Sequence, residues 1–289
     1  MKTLLAAIVL IVIVAIILAF LLPISRGVLQ GIQNFNHFGL NISFEKIILY
    51  ITGVGLIGYG VSGAILSLAI SLFCMLIISF LPLKVLSGKK SNESLRRVNI
   101  IDYSIPVFIS LSAIAIMSNI DMLLVKHYFD PVQAGGYAAI DMMGKVLFFL
   151  SFNIANVILP KASVLSVQKK ESGLLLRKAL FFMCLISLLI VVPYALFPGQ
   201  IMNLVFGAQY KDFINLLAPY SVTMAIMACV VIIVYYNLSI MKFYYIKYLI
   251  FSTVMEVVLL VLFHNNPMQV ILGMFVSSSI LLILILIKK

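Results

Sequence analysis

The sequence contains no tryptophan, and only 10% of its 289 residues are charged, where soluble proteins average about 25%. Hydrophobic residues make up 64% of the chain, and the mean hydropathy is +1.21. A soluble domain, with about 45–50% apolar residues, buries far less apolar surface than this chain would have to bury. The composition excludes a water-soluble fold and predicts that lipid surrounds the protein.

Signatures of catalysis are also missing from the sequence. It has no G-x-S-x-G, no Walker loop and no H-E-x-x-H, which are the short motifs that carry common active sites. The three cysteines and three histidines are scattered without the spacing that metal ligands need. We therefore expect a protein that is not an enzyme and that binds no structural metal.

Apolar runs of about 20 residues, the length of a transmembrane helix, recur along the chain. They are too long for barrel strands and do not show the alternation of a β-barrel. We predict an all-α fold, a polytopic membrane helix bundle of nine transmembrane helices. These lie near residues 4–22, 42–59, 62–83, 99–124, 136–160, 178–197, 213–236, 243–263 and 268–287.

A polar, basic stretch divides the predicted helices into a group of three and a group of six. We predict a partial N-terminal helix bundle over residues 1–86, a cytoplasmic basic linker over residues 87–98, and a C-terminal six-helix bundle over residues 99–289.

Lysine and arginine are unevenly divided between the two sides of the predicted bundle. Sixteen of the 20 basic residues fall on one side, which the positive-inside rule makes cytoplasmic together with the C-terminus. The net charge of +11 is thus interpreted as a topology signal and as contacts to anionic lipid, not as a nucleic-acid site. Nine helices place Met1 outside, although Lys2 favours the inside, so we expect an odd number of further helices upstream.

Charged residues interrupt the hairpin of the fourth and fifth predicted helices. Asp121 lies ten residues before Pro131 and Asp141 ten residues after it, so both lie at about the same depth. Lys145 follows Asp141 at i+4 and shares its helix face, and Asn119 lies one turn deeper than Asp121. We predict one cluster of Asp121, Asp141, Lys145 and Asn119, about 15 Å from the turn.

Two interpretations of this cluster remain open. It is either a structural lock between two helices or part of a polar cavity, because ionisable groups inside membranes mostly face cavities. Asn153 and Asn156 extend the polar side of the fifth helix, but asparagine also joins helices in membranes. Glu256 lies in an apolar run with no basic residue within a turn, which makes it a candidate for proton coupling.

The order of motifs resembles a known family. The hairpin reads SNIDMLLVKHYFDPVQAGGYAA, the next span ends in NVILPKAS, and LVFGAQY follows on the predicted outer side. These features are similar to the polysaccharide flippases of the multidrug/oligosaccharidyl-lipid/polysaccharide exporter superfamily. That family has an Asp near the end of its seventh helix, followed by G-x-Y and P-x-x-S, and the matching residues here are Asp121, Gly135, Gly136, Tyr137 and Pro160–Ser163.

A second motif lies near the N-terminus. The segment SRGVLQGIQNFNHFGLNI is similar to the loop after the family's fourth helix, with matches at Arg26, Gly27, Gln30 and Gly31. With this alignment the chain would hold half of the first bundle and all of the second bundle of a two-lobe exporter fold.

The resemblance implies a multi-pass flippase in the cytoplasmic membrane of a prokaryote. Its substrates would be lipid-linked oligosaccharides, the precursors of O-antigen and capsule polysaccharide, moved by alternating access. Coupling to protons or Na⁺ is implied, with Asp121 and Glu256 as candidates, and Arg26 and Lys145 would contact the anionic substrate. Membrane lipids and proteins of polysaccharide assembly are the other expected partners.

Three alternatives are open. The first is a related exporter of drugs or of another lipid precursor, which would favour an acidic, aromatic cavity. The second is a membrane enzyme such as a polysaccharide polymerase, whose loss would change product chain length and not leaflet distribution. The third is a truncated, inactive remnant or a scaffold protein.

Overall fold

The computed structural model describes residues 2–82, 100–168 and 170–287, and within them it confirms the predicted all-α fold. The predicted linker at 87–98 lies outside the described residues. The described part contains eleven α-helices and no β-strand. The helices are α1 (Lys2–Gly31), α2 (Phe35–Gly55), α3 (Gly60–Phe80), α4 (Ile100–Met117), α5 (Ile120–Tyr128), α6 (Pro131–Val167), α7 (Gly173–Leu196), α8 (Pro198–Phe206), α9 (Ile214–Ser239), α10 (Ile246–Leu262) and α11 (Pro267–Ile287).

The chain divides into two compact units, Met1–Arg96 and Arg97–Lys289. In the first unit, α1 and α2 both pack along α3. The apolar core of this unit is small, and polar contacts between its helices supplement it. The core residues are Leu18, Leu22, Leu72 and Met75.

The second unit is built around α9. This helix packs against α6, α7 and α11. In its most apolar 18-residue stretch 67% is buried, compared with 17% in the corresponding stretch of α7. The run Val230–Val234 is buried on every face, which is the pattern of a helix enclosed by other helices. The other candidate spans of the unit are less buried than α9.

Seven helical segments in the described part are long and apolar enough to cross a membrane, so the chain is a multi-pass membrane protein. The predicted number of nine is not confirmed. Helix α10 has 17 residues, which span ~25 Å and fall short of a hydrocarbon core of ~30 Å. Helix α2 is not among the seven either, because it carries Asn41, Glu45 and Lys46.

Helix α6 is longer than the sequence pattern predicts. It continues through Pro160, which we expected to mark its end, to Val167. A proline removes one helical hydrogen bond, but Ile158, Pro160 and Ala162 are all buried. Packing on both sides of the proline therefore holds the helix together.

We expect single-cysteine labelling to place the two ends of α9 on opposite sides of the membrane. Cysteines replacing Asp212 and Met241 are introduced after the native Cys74, Cys184 and Cys229 are changed to serine. Both positions are exposed, and the 26 residues of α9 between them span ~39 Å. An impermeant maleimide should label Asp212→Cys in intact cells and Met241→Cys only after permeabilisation. Equal labelling of both in intact cells would contradict this topology.

Candidate functional site

A break in a membrane-spanning helix introduces the candidate site. Helix α4 ends at Met117 and α5 begins at Ile120, although the two form one span. Between them, the Asn119 side-chain amide donates to the Ala115 carbonyl oxygen at 2.8 Å and to Ser118 Oγ at 2.9 Å. Discontinuous helices in transporters are tolerated where they line a binding site or are buried in protein.

Five buried side chains meet directly beyond this break: Asp121 from α5, Tyr137, Asp141 and Lys145 from α6, and Tyr220 from α9. We call them the acid–tyrosine network. The Tyr137 and Tyr220 hydroxyls lie 2.9 and 3.0 Å from Asp121 Oδ2. Tyr220 also contacts Asp141 Oδ1. All five residues are buried, with Asp141 the most exposed at 9%.

Lysine 145 neutralises one of the two carboxylates. Its Nζ lies 2.7 Å from Asp141 Oδ1, and it donates to Asn119 Oδ1 at 3.2 Å. The structure thus brings together all four residues of the predicted cluster, but Lys145 pairs with Asp141, and Asp121 is reached through Tyr220. An isolated charge in the membrane is costly, and this ion pair removes the cost for two of the three charged residues.

Two glycines of α6 permit the close approach of α9. A Cβ on Gly144 would overlap the ring of Tyr220, and a Cβ on Gly136 would overlap the ring of Phe213. Small residues let membrane helices pack backbone to side chain. The phenol of Tyr220 can reach between Asp121 and Asp141 only because Gly144 has no side chain.

The Tyr220 hydroxyl cannot donate to both carboxylates when both are ionised. The Tyr220 hydroxyl has a single proton but lies within hydrogen-bonding distance of both Asp121 Oδ2 and Asp141 Oδ1. If both carboxylates were ionised, one contact would set oxygen lone pairs against each other. All contacts become hydrogen bonds when Asp121 carries a proton, donates it to Tyr220, and Tyr220 donates to Asp141. The network is then neutral, with Lys145 balancing Asp141.

At the buried carboxyl of Glu256, too, one hydroxyl proton faces two acceptor oxygens. Ser277 Oγ lies 2.7 Å from Glu256 Oε2 and 2.9 Å from the Met274 carbonyl oxygen, and its hydroxyl has one proton for two acceptors. A proton on Glu256 satisfies both contacts. Met274 Sδ lies 3.6 Å from the Tyr137 hydroxyl, so Met274 lies between Ser277, which binds Glu256, and Tyr137, which binds Asp121.

Two buried carboxyl oxygens have no hydrogen-bond partner among the described residues, Asp121 Oδ1 and Glu256 Oε1. Buried polar atoms are rarely left unpaired, so each of these calls for an explanation. The unpaired oxygens of Asp121 and Glu256 mark positions where a proton, a cation or a water molecule can be accommodated.

Arg26 lies in the first unit and belongs to a separate polar cluster. Its Nε donates to Asn41 Oδ1 at 2.7 Å, and its Nη2 lies 2.7 Å from Glu45 Oε2. Lys46 Nζ lies 2.6 Å from the other oxygen of Glu45, and Asn41 donates to the Met75 carbonyl oxygen at 3.1 Å. Glu45 is buried and joins α1 to α2. With two cations on one carboxylate, the cluster keeps a net charge of about +1.

The remaining predicted residues lie outside the network. Asn153 is exposed and donates to the Phe149 carbonyl oxygen at 3.4 Å, while Asn156 is partly buried; they lie two to three turns further along α6. Within the described residues, no group of three or more His, Cys, Asp and Glu side chains could hold a metal ion.

Two residues of the network were not predicted as site residues. From the sequence, Tyr137 was identified only as part of a motif, and Tyr220 was not identified. The signal for Tyr220 was weak: it is a tyrosine beside Pro219 in an otherwise apolar run, seven residues into α9. Both side chains are fully buried.

Comparison with family models, with characterised proteins and with solved structures finds no match for this chain. The geometry of the buried polar groups and the motifs described above are therefore the observations that indicate a function.

We expect Gly144→Ala to destabilise the second unit. The new Cβ meets the ring of Tyr220, and overpacking of this kind costs about 1–3 kcal/mol. Gly135→Ala is the matched control on the same helix, because nothing lies within 4 Å of its added Cβ; alanine there should be neutral or slightly stabilising. Thermal unfolding in detergent measures both, and equal melting temperatures would contradict the close approach of α6 and α9.

Proposed function

We propose that this chain is a cation-coupled membrane transporter that moves lipid-linked oligosaccharide between leaflets. The observation that carries the transport proposal is a pair of buried carboxyls in a membrane-spanning unit, Asp121 and Glu256. Among the described residues neither forms an ion pair, and each has one oxygen without a hydrogen-bond partner. A structural role is better served by neutral side chains, since each buried carboxyl costs several kcal/mol unless it is protonated or paired.

The substrate class rests on the motifs that resemble polysaccharide flippases. Two residues of those motifs, Asp121 and Tyr137, are hydrogen-bonded to each other, and a third, Gly136, lies against Phe213. These contacts support the view that the motif is a packing and proton-binding unit. A transported oligosaccharide needs a polar passage because a sugar head group cannot cross ~30 Å of hydrocarbon unaided.

The proton count favours protons over Na⁺ as the coupling ion. The Tyr220 and Ser277 contacts become hydrogen bonds when one proton is added to each carboxyl, as described above. A Na⁺ site would need several free oxygen ligands around one position. The two hydroxyls at Asp121 Oδ2, from Tyr137 and Tyr220, are already engaged in these hydrogen bonds.

We expect Asp121→Asn to abolish transport while leaving stability within about 1 kcal/mol of wild type. An asparagine Nδ2 in the place of Oδ2 has two protons and can donate to both Tyr220 and Tyr137, while the Tyr137 hydroxyl donates to Met274 Sδ. The contacts are kept, but the amide can neither release nor take up a proton. Transport is measured in proteoliposomes with undecaprenyl diphosphate-linked oligosaccharide, by accessibility of the sugar to an impermeant glycosidase under an imposed pH gradient. The full-length product of the gene is used.

Asp212→Asn serves as the matched control for this substitution, because Asp212 is an exposed carboxylate in the helical turn that precedes α9 and is not part of the acid–tyrosine network. It should transport like wild type. Normal transport by Asp121→Asn would show that the network is only a structural lock. A large loss of stability in Asp121→Asn would show that Asp121 is ionised and paired, which contradicts the proton count. If the wild-type protein leaves the distribution of the lipid-linked oligosaccharide between the two leaflets unchanged, the proposed substrate class is wrong.

A further inference from the structure

A cavity of about 450 Å³ lies at one end of the second unit, far along the chain from the acid–tyrosine network. It is formed where α9 and α11 end and where α7 begins. The apolar wall of its lining includes Leu176, Ile233 and Ile285, and its polar lining residues include Asn237 and Lys242. Its volume lies in the range of small-molecule sites, about 300–1,000 Å³.

A helix-terminating motif holds Lys242 at this cavity. The Lys242 backbone N–H donates to the Asn237 carbonyl oxygen at 3.0 Å, and the Met241 N–H donates to the Leu238 carbonyl oxygen at 3.2 Å. These are the two hydrogen bonds of a Schellman motif, and Met241 takes the left-handed conformation that the motif needs, with a φ of 55°. The backbone of Lys242 is therefore fixed beside Asn237.

Lysine 242 is not neutralised by the protein. Within the described residues it forms no ion pair, and its side chain is exposed. The described residues at this end of the unit carry more basic than acidic groups, and the acidic ones are Asp102 and Glu171. The basic residues are Lys161, Lys170, Arg177, Lys178, Lys242 and Lys247.

Tyrosines complete the polar rim of the cavity. Tyr236 and Tyr244 both line it, and the Tyr236 hydroxyl lies 2.9 Å from Ser172 Oγ. Tyrosine is enriched where the membrane meets water, at the level of the lipid head groups. The cavity thus combines an apolar wall, an interfacial aromatic rim and a free cation, on the side that the positive-inside rule predicts to be cytoplasmic.

We propose that this cavity binds an anionic phospholipid, with the lipid phosphate at Lys242 and the acyl chains along the apolar wall. Charge complementarity favours an anion, because basic pockets between membrane helices attract anionic head groups. The apolar wall favours a lipid over a soluble anion, since Leu176, Ile233 and Ile285 offer nothing to a free phosphate. The site does not depend on the transported substrate or on the acid–tyrosine network.

The absence of tryptophan from the chain makes a clean optical test available. A single reporter, Leu286→Trp, is placed at the rim of the cavity, where Leu286 is 48% exposed. The protein is reconstituted in phosphatidylcholine vesicles containing brominated phosphatidylglycerol or brominated phosphatidylcholine, whose bromines quench nearby tryptophan. We expect quenching to indicate about fivefold tighter binding of the phosphatidylglycerol, the effect of one lysine at an anionic lipid.

Lys242→Gln in the reporter protein should reduce this preference to about one. Lys247→Gln is the matched control, with the same charge change at the same end of the unit and outside the cavity lining; it should leave the preference intact. Equal loss in both variants would show that only general surface charge attracts the lipid and would overturn the proposal. Displacement of the brominated lipid by inorganic phosphate would overturn it as well, because the site would then recognise a free anion.

Discussion

The exclusion of water from the membrane interior is the constraint on which the rest of this structure depends. Without water, a buried polar group must find its partner inside the protein. Asp141 finds Lys145, and Asp121 finds two tyrosine hydroxyls. The helices that carry these groups therefore cannot slide or rotate independently, and α5, α6 and α9 are fixed against one another at one depth.

Close packing makes this arrangement of polar groups possible. Gly144 lets the ring of Tyr220 lie against α6, and the buried run Val230–Val234 keeps α9 at the centre of the unit. In lipid, helices gain little from hiding apolar surface from one another, so close contact and hydrogen bonds supply the specificity. Gly144 therefore allows both the packing of α6 against α9 and the position of the Tyr220 hydroxyl between the Asp121 and Asp141 carboxyls.

The sequence predicted the parts of the structure that depend on local pattern. Membrane helices follow from long apolar runs, and the shared depth of Asp121 and Asp141 follows from their equal distance from the turn at Pro131. The contact of Lys145 with Asp141 follows from i, i+4 spacing. Each of these needs only the rise of a helix and the position of a turn.

The sequence could not predict features that depend on contacts between distant segments. Tyr220 is separated from Asp141 by 79 positions, and nothing local in α9 indicates which face meets α6. The burial of Glu45 is of this kind, because its partner, the partly buried Arg26, lies on another helix. The end of α6 was misplaced for a similar reason, since packing around Pro160 outweighs the tendency of proline to stop a helix.

The network also constrains how the protein can respond when a proton leaves. Lys145 already balances Asp141, so removing the proton from Asp121 leaves one unbalanced negative charge in a region of low dielectric constant. Tyr220 can donate to only one carboxylate at a time, so one of its two contacts turns repulsive. Rigid helices leave few ways to relieve this repulsion, and the break at Ser118–Asn119 is directly adjacent to Asp121. Deprotonation should therefore act on α5 first, because that short helix carries Asp121 and follows a local change of bonding pattern: the Ser118 N–H still bonds to the Ile114 carbonyl oxygen, but the Asn119 N–H bonds to the Ile116 carbonyl oxygen at 3.1 Å. A local charge change and a helix break at the same position are two elements of a coupled conformational change.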